Sequence, residues 1–355
     1  ACGKTETARR VARSAALLDV DTNVRQSIEL DPSFALEGSV PRLIDEWQLE
    51  PSIWNHIRRA VDDRRAPGQF VLTGSSVPAD DVNRHSGAGR FSVLRLRPMP
   101  LLPRGFSCGA ASLAALLAGG DTKASKSDLT VRELADRIVV GGWPGLQQLA
   151  AQDASLALSD YLTQMALVDV SRVGDARRDP DRIMALFGSL ARHVATESAL
   201  KTLATDAGGA EGGLSRDTVS DYLDVLGRLM LVEDQPAWAP HLRSRATLRK
   251  SPKRHLADPS LAAAALAATP DRLMGDLNAF GQMFESLVVR DLRVYAQVND
   301  GRVYHYRDSY GTEVDAIVQL RDGRWGAFEV KLGTGRIDEA AASLLRFSEA
   351  LDQER

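Results

Sequence analysis

The 355-residue chain contains only two cysteines, Cys2 and Cys108. Two cysteines build no disulfide framework, and no Cys/His spacing suits a structural zinc site. No apolar run approaches the roughly 20 residues that a membrane-spanning helix needs, so no membrane partner is expected. No secretory leader pattern is visible, and the expected compartment is the cytoplasm. The formal net charge is only -3. A bulk field of either sign is therefore missing, and any charged partner must be met by a local cluster. Internal repeats and low-complexity tracts are also missing, which excludes solenoids and fibrous chains. Aromatics supply 6% of the residues, but hydrophobic residues together reach 44%. That is enough for real cores in two or three domains.

What is present begins at once. Ala1-Cys2-Gly3-Lys4-Thr5 matches the second half of G-x-x-x-x-G-K-[ST]. In such a loop, backbone N–H groups around Gly3 wrap a phosphate and Lys4 neutralises the β/γ oxygens. The Thr5 hydroxyl meets Mg²⁺. The first glycine of the motif, and the strand that feeds it, are expected ahead of Ala1. Ser39–Glu46 is an apolar strand that ends in two acids. Asp45 there would hold Mg²⁺ and Glu46 would polarise an attacking water, as in a Walker B strand. The ordinary alternative is a strand meeting an acidic helix start. Phe70–Ser76 is another buried strand that ends in small polar residues. Strand C-termini line the ligand crevice of a parallel sheet, so Thr73 and Ser75 are placed to sense a γ-phosphate.

The intervening pattern predicts a helix over Thr5–Ala16, a strand-like end at Ala15–Asp19, and an amphipathic helix over Trp54–Arg65 stopped by Pro67-Gly68. Ser92–Leu96 reads as one more strand. This βα alternation predicts the α/β class, with a parallel sheet covered by helices. Arg90 stands just before that last strand. It is the first candidate, ahead of Arg84, for a finger that reaches a neighbouring subunit's γ-phosphate. The alternative is a surface arginine paired with an acidic neighbour.

Residues 104–165 read as helical. Leu113–Leu117 is a short apolar run. Thr130–Val140 carries a capping box, with Thr130 at the cap and Glu133 three residues on. Gly141-Gly142-Trp143-Pro144 ends that helix. It is either a plain stop or a lid turn in which Gly142 and Pro144 touch the nucleotide. Further helices follow. One lies at about Ala199–Ala204, and a second is capped by Ser215, with Val219, Leu223, Leu226 and Met230 inward. Val232–Pro236 reads as a wing strand, which gives a winged-helix outline that reads DNA or binds protein. Basic residues Arg243, Arg245, Arg249, Lys250, Lys253 and Arg254 follow, able to grip phosphates or to form a solvated surface.

The C-terminal part predicts a helix over Phe284–Leu292 with Glu285 near its start. Strands follow at Arg302–Tyr306, Thr312–Val318 and Arg324–Lys331. On a strand, Glu329 and Lys331 share a face, and Asp315 on the paired strand lies beside them. This is a D…E-x-K pattern of metal-dependent nucleases. Asp315 and Glu329 would hold Mg²⁺, Glu285 would complete the site, and Lys331 would stabilise or deprotonate the attacking water. The spacing is permissive, and a structural ion cluster is the competing expectation.

Taken together, Gly3-Lys4-Thr5, Arg42–Gln48, Leu72–Ser76, His85–Arg90, Gly141–Pro144, Lys250–Lys253, Phe284-Glu285, Glu313–Asp315 and Glu329–Lys331 resemble one family. It comprises bacterial and archaeal AAA-type P-loop ATPases that carry a C-terminal domain of unknown function. The resemblance implies an ATPase core over residues 1–103, a helical lid over 104–165, a winged-helix-like part over 166–260, and a restriction-nuclease-like part over 261–355. It also implies ATP and Mg²⁺ as ligands and a homo-oligomer. The N-terminal half of the phosphate loop and the final strands of the nuclease-like fold are missing from the pattern. Three functions compete. One is an ATP-driven switch acting on DNA. Another is an ATP-dependent regulator or scaffold that binds a protein partner through an inert nuclease-like fold. The third is a nucleotide-binding module with weak turnover.

Overall fold

The computed structural model describes residues 2–75, 86–121, 125–170, 178–208, 213–240, 251–308 and 311–353. Arg84, Ser76 and His85, and the basic residues Arg243, Arg245, Arg249 and Lys250, lie outside the described residues. The chain forms two compact units that divide after Leu96, apart from short stretches from later in the sequence.

The first unit runs α1 (Lys4–Arg9), β1 (Ser14–Leu17), α2 (Thr22–Leu30), β2 (Arg42–Asp45), α3 (Ile53–Arg64) and β3 (Phe70–Thr73). Its sheet is parallel with order β1-β2-β3. Leu17 pairs with Asp45, and Asp45 pairs with Thr73, so the three C-terminal strand ends fall in one row. Asp21 caps α2, accepting the Asn23 and Val24 N–H groups at 3.1 Å each. That satisfies two donors a helix start otherwise leaves open. Ile53 and Ile57, one turn apart on α3, are fully buried against Ile28, Ala35 and Ile44. Each such side chain contributes about 1.5–3 kcal/mol on leaving water.

Two expectations fail in this unit. The helix predicted over Thr5–Ala16 stops at Arg9, and the strand-like end expected at Ala15–Asp19 starts one residue earlier, as the strand Ser14–Leu17. Pairing with β2 along its whole length, with Ala16 buried, overrides the helix preference of the alanines. Ser92–Leu96 is not a strand. Its Val93 and Leu94 are 90% and 72% exposed, and among the described residues β3 pairs with β2 alone.

The second unit begins with α4 (Leu113–Leu117), α5 (Val131–Val140), α6 (Ala151–Gln164), α7 (Pro180–Arg192), α8 (Leu200–Gly208) and α9 (Arg216–Arg228). It continues through α10 (Pro259–Ala265), α11 (Pro270–Gly275), α12 (Leu277–Val298), β4 (Gly301–Arg307), β5 (Glu313–Leu320), β6 (Trp325–Phe328) and α13 (Ile337–Gln353). The capping box of α5 forms as expected: Glu133 N–H donates to Thr130 Oγ1 at 3.2 Å and Thr130 N–H to Glu133 Oε2 at 2.8 Å. The short α10 is buried along most of its length and packs on α5, α6, α7 and α12. The antiparallel sheet β4-β5-β6 sets Val303, Ala316 and Val318 against Val289, Leu292 and Ala296 of α12. A second cluster joins Tyr306, Val314 and Ile317 to Trp238 and to Phe347 of α13. Among the described residues no helix is long and apolar enough to cross a membrane.

The expected helix pair of the middle region is present, and Ser215 Oγ accepts the Thr218 N–H at 3.0 Å. Val219 and Leu226 are buried, together with Tyr222 and Val225, whereas Leu223 and Met230 are only half-buried. The expected wing differs. Val232 and Gln235 bridge antiparallel to Leu256 and Lys253, and Ala237 bridges parallel to His305 of β4. Residues 232–238 are thus laid between a neighbouring segment and the C-terminal sheet.

Candidate functional site

Two groups of polar side chains gather the sequence candidates, one in each unit. In the first unit, Gly3 precedes α1 with φ 82°, a left-handed conformation that glycine adopts without strain. The helix then presents Thr5, whose Oγ1 donates to Asp45 Oδ1 at 3.1 Å. Thr73 Oγ1 donates to the same oxygen. Asp45 sits at the end of β2, 5% exposed, beside Thr73 at the end of β3. The parallel register therefore does the positioning, because paired strands that end level put their last side chains together.

Glu46 turns off the strand at φ 52°. Its Oε2 accepts from Ser75 Oγ at 3.1 Å and from Gln48 Nε2. Gln48 Nε2 also lies 3.1 Å from Ser75 Oγ. Gln48 is the one member of this group that motif spacing does not single out. A hydroxyl and a carboxylate oxygen are hard donors, so the Thr5–Asp45 pair suits Mg²⁺. Arg90 lies in the same unit, where its Nε donates to Asp62 Oδ1 at 2.9 Å. That bond, helped by the nearby arginine charges, holds the Asp62 carboxyl below its usual range.

Gly142 and Pro144 belong to the second unit. Gly142 N–H donates to Asp258 Oδ2 at 3.0 Å, its carbonyl accepts from Met99 N–H at 2.7 Å, and Trp143 Nε1 donates to Ser260 Oγ at 2.9 Å. A Cβ on Gly142 would lie 2.4 Å from the Met99 carbonyl oxygen. Only glycine fits there, and its amide is already committed to Asp258. Pro144 opens a short 3-10 turn over Pro144–Leu146.

The second group joins Glu285, Asp315, Glu329, Lys331 and Lys253. Glu285 projects from the middle of α12, not from near a helix start, because the helix begins at Leu277. Asp315 is on β5. Glu329 and Lys331 lie just beyond β6, which ends at Phe328, so strand alternation does not align them. They meet anyway: Lys331 Nζ donates to Glu329 Oε2 at 2.6 Å and to Asp315 Oδ2 at 3.2 Å. Val330 N–H adds a bond to Asp315 Oδ2 at 2.9 Å. Lys253 Nζ reaches Glu285 Oε1 at 2.6 Å and Asp315 Oδ1 at 3.3 Å.

Lys253 and Arg254 are 8% and 7% exposed. Arg254 Nε donates to the Ser198 carbonyl at 3.1 Å, and its NH1 pairs with Asp234. These two cations, expected on a phosphate-gripping surface, are instead spent internally.

Burial pushes the Glu285 carboxyl up to about 7, with Asp315 adding to the shift and Lys253 opposing it. Burial also acts on Asp315, but Lys253, the Val330 N–H and Lys331 outweigh it and hold Asp315 below its ordinary value. Glu329 is raised by burial and by Asp315. Burial disfavours both ammonium charges, yet the facing carboxylates hold Lys253 and Lys331 above the usual lysine value. Both oxygens of Asp315 are already engaged by ammonium and amide donors, so the cluster as arranged does not fit a divalent ion. Among the described residues no group of three or more His, Cys, Asp or Glu side chains is arranged to hold a metal.

The Glu285 shift has a measurable consequence. A carboxyl raised from 4.5 to about 7 on folding binds its proton more tightly in the native state. Its contribution to stability is therefore complete below its unfolded value and is lost as pH rises through the folded value. Glu285→Gln should flatten the decline in stability from about pH 5 to 8. Urea midpoints across that range check it, and an unchanged slope would show that Glu285 does not titrate there.

Comparison with known proteins locates these groups. Residues 280–355 match a domain of unknown function, DUF4143. Residues 131–272 match a second domain of unknown function, DUF8612. The C-terminal part of the resemblance is thereby found, and neither match includes the phosphate-loop residues. Lys253 falls within the DUF8612 match and the other four cluster members within DUF4143. An uncharacterized protein of Mycobacterium tuberculosis is 27% identical over 344 residues, covering 93% of this chain and 68% of its own length. An uncharacterized protein of Mycobacterium bovis is similar to the same extent, 27% over 344 residues. No solved structure matches.

Proposed function

We propose that the protein binds and hydrolyses ATP as a cytoplasmic, ring-forming AAA-type switch. The observation that carries this is the meeting of the Thr5 and Thr73 hydroxyls on Asp45 Oδ1, at the level ends of two parallel strands. On this reading the first unit is a P-loop sheet. Gly3 and Lys4 hold the phosphates, Thr5 and Asp45 would hold Mg²⁺, and Thr73 and Ser75 sense the γ-phosphate. Mg²⁺, when bound, supplies charge neutralisation at the β/γ oxygens. Glu46, steered by Ser75 and Gln48, positions the attacking water. Phosphate release by the full-length protein with ATP and Mg²⁺ tests the reading, and release no faster than a Lys4→Ala control would sink it.

Arg90 serves the neighbouring subunit in this scheme, exchanging Asp62 for a γ-phosphate. Mixed Arg90→Ala and Lys4→Ala proteins should then regain part of the activity that each lacks alone. A protein that stays monomeric by light scattering under ATP would remove this role.

The middle and C-terminal parts take the winged-helix and nuclease-like readings. DNA is the first candidate partner, tested by salt-sensitive binding and by plasmid cleavage with Mg²⁺ or Mn²⁺, with and without ATP. The second reading, a regulator or scaffold that binds protein through an inert nuclease-like fold, is favoured by one observation. Two lysines neutralise the carboxylates that a nuclease would present to metal.

A further inference from the structure

Lys253 is fixed from three directions. Its backbone N–H donates to the Gln235 carbonyl at 3.0 Å and its carbonyl accepts the Gln235 N–H at 2.9 Å. Gln235 is itself tied to the C-terminal sheet, with Nε2 donating to the Tyr304 carbonyl at 2.8 Å and the Asp315 carbonyl at 2.9 Å. Two residues on, buried His255 lies 3.0 Å from Gln235 Oε1 and 3.0 Å from Ser286 Oγ of α12. These contacts register the Lys253 segment against both β5 and α12, the elements that carry Asp315 and Glu285. The ammonium then ends between Glu285 Oε1 and Asp315 Oδ1. A metal ion bridging those two oxygens at about 2.0–2.6 Å would need the volume that Nζ holds. Lys331 does not compete for this position, since it takes the other Asp315 oxygen and Glu329.

We propose that Lys253 is the resident cation of this site. Contributed by the middle segment, it occupies the place of a divalent metal between Glu285 and Asp315 and thereby keeps the nuclease-like part from metal-dependent phosphodiester cleavage. The proposal deepens the second reading above and rests on it. It assigns to one side chain both the closure of the site and the joining of the two matched segments.

The test counts bound Mn²⁺ by electron paramagnetic resonance. The full chain carries Asp45→Asn, so that the first unit's site does not contribute. That protein should bind no Mn²⁺ that Asp315→Asn removes. Adding Lys253→Met should create one site per chain that Asp315→Asn or Glu285→Gln abolishes, whereas Lys253→Arg, which keeps a cation in place, should create none. Lys253→Gln is the second variant should the methionine form not fold, and it must gain the same ion. Mn²⁺ bound at an Asp315-dependent site with Lys253 intact overturns the proposal. So does a folded Lys253→Met or Lys253→Gln protein that binds none. The outcome for the wider reading is separate: Asp315-dependent Mn²⁺ binding without plasmid cleavage by the protein with Lys253 intact defeats only the role of Lys253, while cleavage by that protein defeats the inert fold as well.

Discussion

Lys4→Ala should leave the protein unable to hold ATP, and Glu46→Gln should hold ATP without turning it over. The two losses have different causes. Lys4 follows the left-handed Gly3 turn, and on the proposed reading it would supply a point charge to the phosphates. A charge-assisted hydrogen bond of this kind is worth about 1.5–3 kcal/mol, or roughly 10–150-fold in affinity. Glu46 stands next to the Asp45 carboxylate, and Ser75 and Gln48 aim it. An amide at position 46 keeps acceptor capacity for those two partners but loses the charge that, on the proposed reading, would polarise water. General-base removal costs about 10²–10⁴-fold in rate. Fluorescent-nucleotide titration should thus separate the variants, with binding lost in the first and retained in the second. Normal turnover by Glu46→Gln would show that another group positions the water.

The largest effect on stability is expected at Arg290. Its side chain is 2% exposed and lies between Asp258, which is fully buried, and Asp291. NH1 donates to Asp258 Oδ2 at 2.6 Å, while Nε and NH2 donate to Asp291 Oδ1 at 2.9 and 2.6 Å. The carboxylates are also backbone receptors. Asp258 takes the Gly142 and Ser260 N–H groups at 3.0 Å each, and Asp291 takes the Leu101 N–H at 2.9 Å. Arg290→Met fills similar space but strands two buried charges. Breaking a buried ion pair from one side costs about 3–5 kcal/mol, against a total stability of about 5–15 kcal/mol for a domain. Urea denaturation should show a midpoint lowered accordingly. Asp258→Asn, which keeps an acceptor for the amides, should cost less than Asp258→Ala. An unfolding free energy within about 0.5 kcal/mol of the parent for Arg290→Met would mean that the network contributes little.

The sequence discloses this molecule unevenly, for physical reasons. The strand ending in Asp45, the strand ending in Thr73, the helix over Ile53–Arg64 and the Thr130–Glu133 capping box are all carried by local patterns, and all are present. The strand-like end expected at Ala15–Asp19 is there as Ser14–Leu17, but the alanines also favour helix locally, and the parallel partner decides against the helix expected up to Ala16. Ser92–Leu96 misleads in the opposite sense. Its alternation suits a strand, but it joins no sheet among the described residues, and Val93 and Leu94 face solvent. Of the C-terminal cluster, the four motif residues can be found from spacing. Lys253 cannot, because its contacts with Glu285 and Asp315 span 32 and 62 positions and depend on the pairing with Gln235. A run of basic residues reads as surface until burial shows that two of its members face inward.

The strip from Gln235 to Trp238 carries a consequence for how this chain can be divided. Trp238 N–H donates to the His305 carbonyl at 2.6 Å and His305 N–H to the Pro236 carbonyl at 3.0 Å, so the strip covers the outer edge of β4. The Trp238 ring lies against Tyr306, Trp325 and Phe347. Cutting between the two matched segments would bare a sheet edge, uncover an aromatic face, and leave Glu285 and Asp315 without Lys253. Bare edges recruit foreign strands. The segments are therefore not interchangeable cassettes: the C-terminal one, expressed without residues 235–238, should show its bared edge as aggregation.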